Sequence, residues 1–160
     1  MANTNKKVAV GASAGFAAAL ALAVPLIGNW EGKRNDPYLD IVGVPTVCYG
    51  ETRVQMRRYS DAECKAMLDK AVKGFAEPVA TCTPNIANRP AQLAAATSLA
   101  YNIGIGAYCK STADRRFDAG DLRGGCDAIK FWNKAGGKVV RGLVARRADE
   151  HQLCLTGLKS

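Results

Sequence analysis

The chain reads as an α+β fold: mostly helical, with a small β element early in the body and a hydrophobic helix at the N-terminus. Three observations predict it. Residues 8–30 carry no charge, residues 38–58 concentrate Val, Tyr, Thr, Gly and Pro, and the remainder of the chain is a series of apolar stretches at helical spacing broken by Gly and Pro. At 160 residues, 48% apolar and 22% charged, the composition is that of one folded domain that buries roughly 70% of its unfolded surface.

The N-terminal element is VAVGASAGFAAALALAVPLIGNW, between Lys7 and Glu31. About 20 such residues suffice to cross a bilayer. Residues 8–28 hold eight Ala, three Gly and one Ser against eight large apolar residues, so insertion is weak. A cleaved signal peptide, with small-residue sites at Ala19-Leu20-Ala21 or Ala21-Leu22-Ala23, competes with a permanent anchor in which Gly11 and Gly15 pack helices together, and with a buried core helix. Lys6 and Lys7 before the apolar run favour export over burial. Lys33 and Arg34 come soon after the segment, which blunts the charge asymmetry that sets orientation.

The β region is punctuated by Gly43-Val44-Pro45 and predicts short strands or a twisted hairpin, the one β element in the chain. Ser60-Asp61-Ala62-Glu63 is a capping box opening a helix with apolar positions at Ala62, Ala66, Met67, Ala71 and Phe75, ended by Pro78. Asn88 and Pro90 start a second helix, AQLAAATSLAYNIG, apolar enough to run through the middle of the domain. Further helices are predicted near 111–119, from Asp121 to about Lys134, and from Gly142 to Leu155.

The six cysteines, Cys48, Cys64, Cys82, Cys109, Cys126 and Cys154, form no CxxC, and His151 is the sole histidine. Clustered zinc ligands are missing, so neither a metal nor another cofactor is expected. Three disulfides in an oxidising compartment fit better than six buried thiols, and they place the body outside the cytoplasm with the N-terminus inside. Fifteen connectivities are possible; the expected one is Cys48 with Cys64, tying the β region to the capped helix, Cys82 with Cys109, and Cys126 with Cys154, joining late helices. A net charge of +8 favours a polyanionic partner, yet no basic run, aromatic RNA signature or finger spacing points to nucleic acid.

The stretch from Trp30 to Thr46 holds Glu31, then Asp40 after eight residues, then Thr46 after five. It resembles the catalytic signature of the T-even and lambdoid phage lysozymes, glycoside hydrolase family 24. The resemblance extends through Ala100-Tyr101-Asn102-Ile103-Gly104, Trp132-Asn133 and Gly136-Gly137 at a late helical turn, and Gly142-Leu143 with Arg146-Arg147 and Glu150, covering about Gly28 to Gly157. It implies a lysozyme-like domain over residues 29–160 behind a signal-anchor-release segment over residues 1–28. It also implies an endolysin that hydrolyses the β-1,4 bond between N-acetylmuramic acid and N-acetylglucosamine and lyses the host cell.

In that chemistry one carboxyl group protonates the leaving oxygen while another acts across the sugar. Glu31, beside Trp30 and apolar neighbours, is the expected general acid, since desolvation favours the protonated form. Asp40, in a more polar loop, is the expected base toward water, and Thr46 helps to hold that water. The resemblance implies inversion, with carboxyl groups about 6.5–9.5 Å apart. It implies too that Arg146, or Arg147 by a shift of one, positions the acid, and that Tyr101 and Ser111 line the saccharide cleft. Related transglycosylases keep the Glu but lack the Asp and Thr, so having both favours hydrolysis.

Taken singly, Asp40 reads more readily as a turn residue beside Gly43 and Thr46 as a strand residue. Arg146 and Arg147 read as a solvated face pairing with Asp149 or Glu150, Tyr101 as core, and His151 lies outside every motif. The family fold needs a helix before the acid, and only the end of the apolar stretch can supply it, which favours retention of the segment. While it lies in the host inner membrane as a single pass, delivered by the export machinery, Glu31 is held away from its cleft. Release to the periplasm then yields the active enzyme, expected to be a monomer. The competing reading is a secreted cationic wall-binding module without catalysis, which Glu31→Gln would leave unaffected.

Overall fold

The computed structural model describes residues 13–158. Gly11, half of the small-residue pair, lies outside them. The first helix, α1 (Ala14–Glu31), is capped by the Ser13 side chain, which accepts the Phe16 N–H at 3.0 Å. Phe16, Ala19, Ala23 and Ile27 are its buried residues, spaced three or four apart on one stripe. Pro25 lies inside the helix without ending it.

Strands β1 (Arg34–Leu39) and β2 (Pro45–Cys48) form an antiparallel hairpin pairing Tyr38 with Thr46 and Leu39 with Pro45, with an irregularity toward Arg34 and Cys48. The predicted capping box is present, with Ser60 and Glu63 each bonding the other's backbone N–H, and opens α2 (Asp61–Cys82). Pro78 does not end this helix, contrary to expectation. Buried Ala76, Val79 and Ala80 hold the last turns against the core, and that packing offsets the hydrogen bond and the carbonyl clearance that the proline costs. A 3-10 turn over Pro84–Ile86 leads to α3 (Pro90–Ile103), in which every residue from Ala91 to Ala100 is buried. It is the axis of the body: α1, α2 and α7 (Arg141–Thr156) all pack on it.

Between α3 and α7 come α4 (Ile105–Tyr108), α5 (Thr112–Asp118) and α6 (Leu122–Ile129). The predicted helix to about Lys134 stops short, and a second hairpin, β3 (Lys134–Ala135) with β4 (Lys138–Val139), occupies the remainder. Its turn is Gly136-Gly137, with φ of 58° and 77°. A two-residue loop with both positions left-handed is what glycine pairs permit, so the sequence carried a hairpin signal there. Disulfides join Cys48 to Cys64, Cys82 to Cys109 and Cys126 to Cys154, the expected pairing. They tie the hairpin to α2, the end of α2 to the residue after α4, and α6 to α7.

Candidate active site

Glu31 is the last residue of α1, and Gly32 comes next at φ 70°, turning the chain out of the helix. Its carboxyl stands beside α7. The Oε1 atom accepts from the Arg146 guanidinium Nη1 at 2.8 Å, with side chains 26% and 6% exposed, so this is a mostly desolvated ion pair. Between Arg146 and the shifted alternative Arg147, the structure places Arg146 on Glu31. Next to it, the Trp30 indole Nε1 donates to Asp149 Oδ2 at 3.1 Å, a second link between α1 and α7 that sequence reasoning missed.

Asp40 opens the turn after β1 and Thr46 lies in β2 just beyond it, both organised around the backbone of Val44. The Val44 N–H donates to Asp40 Oδ1 at 2.8 Å, its carbonyl accepts the Asp40 N–H at 3.0 Å, and the same carbonyl accepts the Thr46 hydroxyl at 2.9 Å. A second N–H, from Val42, reaches Asp40 Oδ1 at 2.9 Å. The turn role of Asp40 and the strand position of Thr46 are therefore real, and they orient both polar groups. Asp40 Oδ2 and Glu31 Oε2 accept no hydrogen bond among the described residues. Each carboxyl is thus anchored by one oxygen with the other available for chemistry.

Tyr101 lies on α3, half-buried, its ring 4.9 Å from that of Phe75. Burial pushes its phenol up from the ordinary value, and the negative charges of Glu31 and Glu51 add to that shift, so it neighbours the acid electrostatically. Ser111 is buried and caps α5, accepting the Asp114 N–H at 3.1 Å. His151 bonds Asp127 at 2.7 Å, linking α7 to α6. Among the described residues no three His, Cys, Asp or Glu side chains are grouped to hold a metal. A concavity of about 970 Å³ lies between α1 and α2, lined by Leu20, Val24, Gly28, Tyr49 and Leu68, and touches neither Glu31 nor Asp40.

Behind the ion pair is a buried charge cluster that sequence reasoning treats as a solvated face. Glu150, 0% exposed, receives the Ser98 hydroxyl at 2.6 Å, Arg146 Nε at 3.4 Å and Arg147 Nη2 at 3.1 Å, all on Oε1. Its Oε2 lies 2.7 Å from Arg147 Nε without hydrogen-bond alignment, a purely Coulombic contact. The three- and four-residue spacing of these side chains on α7 was visible, but helical spacing does not say which face is inward.

The Phage lysozyme family model matches residues 28–150. The chain is similar to the SAR-endolysin of Bacteriophage PS119, 41% identical over 150 residues covering 87% of this chain and 88% of the relative. It is equally similar to the SAR-endolysin of Enterobacteria phage P21, 41% identical over 87% of this chain and 89% of the relative. Among solved structures, the active form of P1 phage endolysin Lyz superposes with a TM-score of 0.76 at 29% identity, covering 87% of this chain and 85% of that one. With a small early hairpin, a central α3 and an apolar α1 ending in Glu31, the chain belongs to the phage lysozyme family, among its SAR endolysins.

Proposed function

We propose that this endolysin is an inverting muramidase that cleaves the β-1,4 bond between N-acetylmuramic acid and N-acetylglucosamine in peptidoglycan, with Glu31 as general acid and Asp40 as general base. The observation that carries the reading is the anchoring of each carboxyl by one oxygen, Glu31 on Arg146 and Asp40 on the Val42 and Val44 N–H groups. Glu31 Oε2 gives its proton to the glycosidic oxygen as the C–O bond breaks. A water enters from the opposite face of the sugar, losing a proton to Asp40 Oδ2 as its oxygen bonds the anomeric carbon. The Thr46 hydroxyl spends its hydrogen on the Val44 carbonyl, so its lone pairs accept from that water. Arg146 is a positioning residue for the acid. Tyr101 lines the sugar cleft beside Glu31, and Ser111 shapes it through the start of α5.

Residues 1–28 serve as a signal-anchor-release segment and 29–160 as the catalytic body, which acts as a monomer once released to the periplasm, without a cofactor. Helix α1 supports this double role: it is apolar enough to cross a membrane, with mean hydropathy 1.3 over 18 residues, yet it also supplies buried core residues on α3 and carries the acid. While it spans the host inner membrane, N-terminus in the cytoplasm, Glu31 cannot reach Arg146. Proton NMR of the first product tests the chemistry, with the α-anomer expected to form first; initial β-anomer would contradict inversion.

A further inference from the structure

Glu150 is a buried acid that the proposed reaction does not use, and it shares Arg146 with Glu31. One guanidinium touches both carboxylates, Nη1 at 2.8 Å from Glu31 and Nε at 3.4 Å from Glu150. Arg146 Nη2 finds no partner among the described residues. Arg147 matches Glu150 from the other side and is itself held by Asn102 Oδ1 at 3.0 Å. The quartet therefore alternates in sign, Glu31, Arg146, Glu150, Arg147, and is neutral when all four are charged.

A general acid must hold its proton, and a buried guanidinium at ion-pair distance works against that. We infer that Glu150 is a positioning residue that competes for Arg146, so that the arginine can orient Glu31 without stripping its proton. This rests on Glu31 being the acid. The other charged and titratable groups facing the quartet are Tyr101 from α3, Asp149 on α7, bonded to Trp30, and Glu51, which acts on Tyr101 from beyond β2. Tyr101 stays neutral across the working range and the two carboxylates are more exposed than Glu150, so Glu150 is the competitor with the strongest hold on Arg146.

The test is the pH profile of reducing-end release from purified peptidoglycan by Glu150→Gln, alongside carbon-13 NMR titration of Glu31. Through the shared guanidinium the two carboxylates lie within about 9 Å, where one charge at an effective dielectric near 20 moves a neighbour's titration by about one pH unit. The basic limb, where the acid loses its proton, is expected to move down by that amount, while the acid limb, where the base gains one, stays in place. A second variant tolerates any folding loss in the first: Asn102 is exposed, and Asn102→Asp gives Arg147 a new charged partner, which frees Glu150 toward Arg146 and moves the limb upward. Release that falls equally at all pH, or limbs unmoved in both variants of an active enzyme, would overturn the inference. Wild type inactive at every pH would overturn instead the assignment of the acid.

Discussion

Shortening Ile27 to alanine should hold the enzyme in the membrane. Ile27 is 0% exposed, packed with Ala23, Leu68, Val72 and Ala94, one helical turn before Glu31. Removing such a side chain from a core costs about 3 kcal/mol of docking. The same change makes α1 less apolar, but one isoleucine contributes only about 0.5 kcal/mol to insertion. The difference, about 2 kcal/mol or more, moves the balance between inserted and docked α1 roughly 30-fold toward the membrane. Leu22 provides the contrast, since it is 39% exposed on the docked helix and Leu22→Ala loses comparable small amounts from both states. The assay is a pulse–chase fractionation of membrane and periplasm, with wall-degrading activity measured in each. Equal release rates for wild type and Ile27→Ala would refute the reasoning, because they would mean that α1 docking does not draw the segment from the bilayer.

Gly15→Leu should also delay release, since it raises membrane affinity while a side chain there meets the Asn88 backbone at 3.1–3.3 Å; the same fractionation checks it. Replacing Cys48 and Cys64 together by alanine opens a loop of 16-residue separation and should cost about 3 kcal/mol, lowering the Tm of the released body by about 10 °C in calorimetry. The hydrogen bond from His151 holds the Asp127 carboxyl below its ordinary range. A depressed carboxyl stabilises above its unfolded value and loses that contribution as pH falls through the folded one. Wild type should thus exceed Asp127→Asn by less than about 1 kcal/mol near neutral pH, a difference that vanishes in acid.

The local elements of the fold were legible because they obey short-range rules. Ser60 and Glu63 announce the start of α2 by mutual capping, and the unbroken Ala91–Ala100 stretch announces a central helix by its composition. Pro78 misled because the rule against helical proline is local while the packing of Val79 and Ala80 is tertiary. The resemblance makes Gly136-Gly137 part of a helical turn, although the pair's own chemistry favours a hairpin. In the site, Glu31, Asp40 and Thr46 could be singled out because their spacing is within one short segment. The partners of Glu31 could not be read with the same certainty. Arg146 lies 115 residues away, and the burial of Arg147 and Glu150 depends on where α7 meets α3. Long-range pairing of charges is set by the fold, and sequence periodicity is silent on it.

The role proposed for Glu31, at the end of α1, as the acid of a wall hydrolase is the central claim. Reducing-end release from purified peptidoglycan, measured for the released wild-type protein and for Glu31→Gln with matched circular dichroism, tests that role most directly. Steady release by wild type is predicted, with a loss of at least about a hundredfold in the variant. No release by the folded wild type, or release by Glu31→Gln at the wild-type rate, would contradict it.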